Sequence, residues 1–269
     1  MNESDRQRVR SIFISDIHLG CRHSQADLLL AFLKEHTCDN LYLVGDIIDG
    51  WKLHRGFHWN DTYTLVIRRI FGMVKRGTVV RYVAGNHDEF LRSYLDELQT
   101  ALTGHIEIAD EFLHQTPDGR QLLVIHGDKF DGVSINMPWL ARLGDRAYTA
   151  LLALNTALNW CRRKLGLKYR SYSQLMKQNV KRAVSYIHGF EEMIALHTRR
   201  RRCDGVVCGH IHTPAIKSLA ELTYYNCGDW VESCTALVEH FDGRIELVWY
   251  HERTAQNVAA PELEEVFAA

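Results

Sequence analysis

Ser11-Ile12-Phe13-Ile14-Ser15-Asp16-Ile17-His18 is a short apolar run that stops at an acid and, two residues on, a histidine. The same order recurs four times. Leu41-Tyr42-Leu43-Val44 leads into Gly45-Asp46, and Val79-Val80-Arg81-Tyr82-Val83 into Ala84-Gly85-Asn86-His87-Asp88. Leu122-Leu123-Val124-Ile125 leads into His126-Gly127-Asp128, and Gly205-Val206-Val207-Cys208 into Gly209-His210-Ile211-His212. Near-continuous apolar runs of this length suit strands covered on both faces, which have no need of polar alternation. Helical spacing fills the gaps at Ala26 to His36 and Asp61 to Lys75. Alternating strands and helices imply a layered α/β fold with parallel pairs, whose ligands gather beyond the carboxyl ends of the strands. All five polar clusters lie at such ends.

After Asp131 the pattern changes. Trp139 to Leu165 is strongly apolar on one face and Gln174 to His197 is amphipathic, so the chain is expected to be a single domain (1–269) carrying a helical insertion, a lid, at 132–200. Short strands return from Leu222 and end in Arg244-Ile245-Glu246-Leu247-Val248-Trp249-Tyr250.

The chain has 269 residues, enough for one large domain with a well-buried core. A formal net charge of −1 gives no basic field, so no nucleic-acid partner is expected. Seven cysteines without a Cys-x-x-Cys pair read as reduced thiols in a cytoplasmic protein. Met1 to Arg10 is polar and unlike a signal sequence. The apolar stretch Ala147 to Cys161 is too short to span a bilayer and is interrupted by Asn155 and Asn159.

Each cluster alone is a weak signal, because turns select Gly, Asn and Asp for their own reasons. Five in order, each closing a strand and each drawing on Asp, His and Asn, point to shared chemistry. Two divalent cations about 3.5–4 Å apart can share one carboxylate. Imidazole, carboxylate and amide oxygens then complete a donor set suited to Mn, Fe or Zn. The chain offers Asp16, His18, Asp46, Asn86, His126, His210 and His212, and no cysteine among them.

The ordered motifs Asp16-x-His18, Gly45-Asp46-x-x-Asp49, Gly85-Asn86-His87-Asp88, His126-Gly127-Asp128 and Gly209-His210-x-His212 resemble the signature of the calcineurin-like metallophosphoesterases, from about Ser11 to Trp230. Within that superfamily, Ser15-Asp16-Ile17-His18-Leu19-Gly20 and Val44-Gly45-Asp46-Ile47-Ile48-Asp49-Gly50-Trp51 are most similar to the UDP-2,3-diacylglucosamine pyrophosphatase branch of lipid A synthesis. The resemblance implies a layered β-sandwich with flanking helices and two metal ions, Mn first, with Fe or Zn as alternatives. Asp16, His18, Asp46 and His212 would hold one ion. Asp46, Asn86, His126 and His210 would hold the other, with Asp46 as the bridge. His87 and Asp88 would join Asp46 as catalytic residues, His87 protonating the leaving oxygen and Asp88 orienting His87. Asp49 and Asp128 would brace the ligands.

One departure has chemical content. The lipid A hydrolases of this branch usually carry Arg after the motif Asn, where this chain has His87. Expelling a phosphate needs no proton donor and gains from a permanent cation, whereas expelling an alkoxide gains from a general acid. His87 thus keeps phosphoester hydrolysis in play, while the resemblance implies water attack on a lipid-linked nucleotide pyrophosphate, giving UMP and an acylated sugar 1-phosphate. A phosphodiesterase or phosphatase of a soluble substrate is one alternative, and a non-catalytic scaffold is another. His87, Lys177, Asn179 and Lys181 are expected substrate contacts, with a peripheral contact to the inner membrane through the basic margin of the insertion or Arg199-Arg200-Arg201-Arg202. Nothing in the sequence fixes an oligomeric state.

Overall fold

Alternation within β1 (Gln7–Ile14) sets the layering. Ile12 and Ile14 face a core completed by the helices α1 (Ala26–Glu35) and α2 (Asp61–Val74), while Phe13, between them, faces a second core. The same switch occurs in β2 (His36–Val44), where Leu41 and Leu43 join the first core and Tyr42 and Val44 the second. A computed structural model describes residues 6–52, 58–94, 106–131 and 173–250 of the chain.

The remaining strands are β3 (Val79–Val83), β4 (Ile106–Ala109), β5 (Glu111–Gln115), β6 (Gln121–Ile125), β7 (Gly205–Cys208), β8 (Ala215–Leu219), β9 (Leu222–Asn226), β10 (Thr235–Glu239) and β11 (Ile245–Trp249). They form a six-stranded sheet ordered β11-β10-β1-β2-β3-β4 and a five-stranded sheet ordered β5-β6-β7-β9-β8. The interiors are parallel, β1 through β4 in one sheet and β6, β7 and β9 in the other, with antiparallel strands toward the edges. Helices α1 and α2 are the crossovers of two successive β-α-β units. The chain is thus a mixed α/β protein with two sheets, as its strand-end pattern implies.

The second core lies between the sheets. Phe13, Tyr42, Val44 and Val83 meet Leu122, Val124, Val207 and Tyr225 there. Phe13 and Tyr42 stack with centroids 4.6 Å apart, worth about 0.5–1.5 kcal/mol beyond their buried area. Local signals fix the helix ends. Asn60 Oδ1 accepts from Tyr63 N–H at 3.0 Å and caps α2. The Arg69 guanidinium donates to the Leu33 and His36 carbonyls and closes α1.

Several elements were not marked in the sequence. β4, β5 and β8 are short and carry few buried positions. β2 starts at His36, immediately after α1, because His36 and Cys38 are buried while Thr37 and Asp39 face outward, an alternation invisible to a search for continuous apolar runs.

Contacts divide the chain into two compact units, residues 1–127 with 195–269, and residues 128–194. Asp128, Asp131 and most of α3 (Ser173–Arg200) belong to the smaller one, where Asp131 hydrogen-bonds Tyr186. The expected helix Trp139–Leu165 lies outside the described residues, as do the side chains of Lys177, Asn179 and Lys181. Among the described residues no helix is long and apolar enough to cross a membrane.

One polar group ties the sheets together. Glu239 on β10 is fully buried and accepts from Arg10 at 2.7 Å and Ser11 at 2.6 Å. Its other oxygen meets His114 Nε2 at 3.0 Å, and His114 Nδ1 meets the Tyr42 hydroxyl at 2.9 Å. Burial would raise the Glu239 carboxyl, but these donors hold it below its ordinary value of 4.5. Its contribution to stability is therefore present above that pH and is lost as the pH falls through the lower folded value. Glu239→Ala takes from Arg10, Ser11 and His114 their shared buried acceptor and is expected to cost about 3 kcal/mol in urea unfolding at pH 7, whereas a loss below about 1 kcal/mol would contradict this role.

Candidate metal centre

The turns that follow β1, β2 and β7 share an unusual backbone. Asp16 and His18 (φ 51° each), Asp46 (φ 54°), His210 (φ 69°) and His212 (φ 50°) all occupy the left-handed region. Each such non-glycine residue costs of order 1–2 kcal/mol, so it persists only where the surroundings over-determine it. The pins are visible. Asp16 N–H donates to Gly45 O at 3.0 Å, His18 N–H to Asp46 O at 2.9 Å, and Trp230 N–H to Asp16 O at 3.0 Å. His210 N–H donates to the Asp16 carboxylate at 3.0 Å, and His87 N–H to the Asp46 carboxylate at 2.8 Å. The strand ends are laced together through the same acids that point into the site.

Asp46 stands between two groups of donors. Its Oδ2 is 3.4 Å from His126 Nε2 and 4.0 Å from His18 Nε2. Asp16, His18 and His212 present atoms that all lie within 4.8 Å of one another, and so do Asp46, His126 and His210. His126 Nδ1 is 2.9 Å from the Val44 carbonyl. A carbonyl only accepts, so Nδ1 carries the proton and Nε2 the lone pair. Asn86 Oδ1 is buried and has no hydrogen-bond donor. A buried amide oxygen without a donor is costly, and a cation beside it removes that cost. Imidazoles, carboxylates and this amide form a donor set that fits divalent ions of the Mn, Fe and Zn type.

Two motif glycines follow from crowding. A Cβ at Gly45, which has φ +80°, would overlap the His126 ring, and one at Gly85 would overlap the Asp46 carboxylate. Asn226 donates to the Gly209 carbonyl at 3.0 Å and steadies the turn that carries His210.

His87 is held on three sides by the segment after Asp46. Its Nδ1 is 3.0 Å from Asp49 Oδ1, its carbonyl accepts from Gly50 N–H at 2.9 Å, and its ring stacks on Trp51 with centroids 3.8 Å apart. Its edge meets the His18 ring at a centroid distance of 4.6 Å. The expectation that Asp88 orients His87 is thereby corrected: the carboxylate on Nδ1 is that of Asp49. Asp88 accepts instead from Gly85 N–H at 2.5 Å, Ile47 N–H at 2.9 Å and the Tyr82 hydroxyl at 2.5 Å, and so clamps the turns that carry Asp46 and Asn86. The Asp49-Gly50-Trp51 motif was visible in the sequence, but motif adjacency favoured the nearer acid. Arg201, in the basic run, pairs with Glu111.

Charge is balanced inside the site. Burial would raise the Asp16 carboxyl, but His212 beside it brings it down to about 2. Burial would lower His212, yet Asp16, 3.1 Å away, pushes it up to about 9. Burial and the neighbouring His87 charge lower His18 to about 4. Burial and then the Asp46 charge raise Asp88 to about 6.

A family model described as calcineurin-like phosphoesterase matches residues 9–214. A UDP-2,3-diacylglucosamine hydrolase of Neisseria gonorrhoeae is 26% identical over 225 residues, covering 82% of this chain and 89% of the relative. One from Vibrio cholerae is 24% identical over 249 residues, covering 86% and 94%. Among solved structures, a Vps29 variant of Entamoeba histolytica aligns over 88% of this chain and 96% of its own, with a TM-score of 0.42 and 12% identity.

His212 carries a proton below about pH 9 in the ion-free protein, and a metal needs its lone pair. Ion uptake should therefore expel protons, and affinity should fall as the pH drops from 9 toward 6. Calorimetric titration with Mn in two buffers of different ionisation heat reads this directly. Identical heats in both would contradict the arrangement.

Proposed function

This chain belongs to the calcineurin-like phosphoesterase family, and on that premise we propose that it cleaves the pyrophosphate of an acylated sugar nucleotide of the UDP-2,3-diacylglucosamine type. Membership makes the chain a metal-dependent phosphoester hydrolase. The observation that carries the proposed site is the position of Asp46 between the two donor groups. In this reading Asp16, His18, Asp46 and His212 hold one divalent ion, and Asp46, Asn86, His126 and His210 hold the second. Manganese suits both sets, with iron or zinc as alternatives. Bound there, such ions supply Lewis acidity, which draws charge from the phosphoryl oxygens and makes water nucleophilic at neutral pH.

The remaining work belongs to the chain. Asp16 and Asp46 stay ionised because burial is outweighed by the imidazoles around them. The Val44 carbonyl keeps the His126 lone pair on Nε2. Asp49, on Nδ1, favours the imidazolium form of His87, in which Nε2 carries a second proton and can give it, or a hydrogen bond, to the leaving oxygen. Trp51 covers one face of that ring and fixes its plane. In attack on the pyrophosphate, water adds to the phosphorus of the uridylyl half, and UMP and an acylated sugar 1-phosphate separate. His87 then serves mainly as a hydrogen-bond donor, since a phosphate leaves without protonation.

The Asp49–His87 pair also supports a second reading. A carboxylate-backed imidazole suits an alkoxide leaving group, so a soluble phosphodiester is the alternative substrate. Assay of the Mn-loaded chain, its Asp46→Ala variant and its His87→Ala variant on UDP-2,3-diacylglucosamine and on a generic alkyl phosphodiester separates the two. The proposal expects UMP release by the wild type, none by Asp46→Ala, and a modest loss in His87→Ala with its metal retained. Turnover of the diester alone, falling about 10²–10⁴-fold in His87→Ala, would replace the first reading with the second.

A further inference from the structure

Far from the metal centre, at the amino ends of β1 and β2, lies a cavity of about 300 Å³. Arg8 and Arg76 line it, with Thr37, Cys38, Met73 and Thr78, and Asp39 is the one acid in its wall. Arg8 and Thr37 are neighbours across the β1–β2 pairing, and Arg76 follows the end of α2. The metal-site turns leave the opposite ends of the same strands. Seven residues of strand separate Thr37 from Val44, roughly 23 Å at about 3.3 Å per residue.

The cavity is built for negative charge. Asp39 pairs with Arg8 at 3.5 Å, and both side chains are substantially exposed. That leaves the wall with an excess of cation, carried by Arg76. More positive charge stands behind it: Arg69 is lowered to about 10 by burial and then by the charges of Arg76 and Arg6. Arg76 thus has a like charge beside it, and an anion bound against Arg76 relieves that repulsion. Arg8 is also held over the Phe241 ring at 5.2 Å, which limits the freedom it would lose on binding. Thr78 donates its hydroxyl to the Cys38 carbonyl at 2.8 Å, so the hydroxyl in position to donate to a ligand is that of Thr37. Met73 supplies an apolar floor. The volume admits a phosphate with a small organic substituent, at the lower end of ligand-site sizes.

We infer that this cavity is a second, non-catalytic binding site for a phosphate group, gripped by Arg8 and Arg76 with the Thr37 hydroxyl. Guanidinium forks match phosphate oxygens two at a time, which an ammonium does not. The same chemistry is offered by a soluble phosphomonoester and by an anionic phospholipid headgroup.

The test uses the full Mn-loaded chain and its Arg8→Gln/Arg76→Gln double variant, titrated with inorganic phosphate and sedimented with phosphatidylglycerol vesicles. Neither arginine belongs to the metal centre, so turnover should be unchanged, which also reports correct folding. If the double variant loses turnover, Arg76→Lys replaces it, since it keeps the charge and removes the fork. A soluble ligand predicts two classes of phosphate site in the wild type, the second at least about tenfold weaker in the variant. A lipid headgroup predicts vesicle binding that falls by a similar factor while the phosphate titrations coincide. Either result supports the site. Coincident titrations together with equal sedimentation would overturn it.

Discussion

Two carboxylates buried side by side govern this molecule. Asp16 and Asp46 leave adjacent parallel strands, and both are removed from water. Burying one ionised acid without compensation costs several kcal/mol, and burying two together adds their repulsion. The fold answers with imidazoles from four other positions, with backbone N–H groups of His210 and His87 on the carboxylate oxygens, and with left-handed turns that aim the acids inward. Held at low pKa, the pair forms a negative centre that divalent cations neutralise better than protons do. Strain in the turns and charge in the centre are two aspects of one arrangement.

The surroundings of His87 extend the same logic. A histidine beside a cation site is useful only if its ring is fixed and its proton placed. Asp49, Trp51 and the Gly50 amide come from one short turn and supply both. Asp88 acts one step further out. Its contacts with Gly85, Ile47 and Tyr82 join the turns after β2 and β3, so movement of either would displace Asp46 and Asn86 together.

Much of this was legible in the sequence because burial on both faces writes strands as apolar runs, and each run ended in its polar residue. The runs at Val79–Val83 and Gly205–Cys208 coincide with β3 and β7. Half-buried and edge strands were not legible, as β4, β5 and β8 show, since their few inward positions do not rise above background. At the site, residue types marked Asp16, His18 and His212, and Asp46, His126 and His210, which lie together in two groups, but not which acid touches His87. Asp88 is one residue away in sequence and Asp49 thirty-eight, yet the fold brings Asp49 to the ring. The cation-lined cavity gave no sequence signal either, because Arg8 and Arg76 are ordinary surface residues until β1 and α2 bring them together.

The central claim is that the single Asp46 carboxylate serves two divalent ions. Crystals of the Mn-loaded protein, measured on both sides of the Mn absorption edge, test it without reference to any substrate. Two anomalous peaks are expected, one beside Asp16, His18 and His212 and one beside Asn86, His126 and His210, with the Asp46 carboxylate in contact with both. A single peak, or two peaks of which only one touches Asp46, would contradict it.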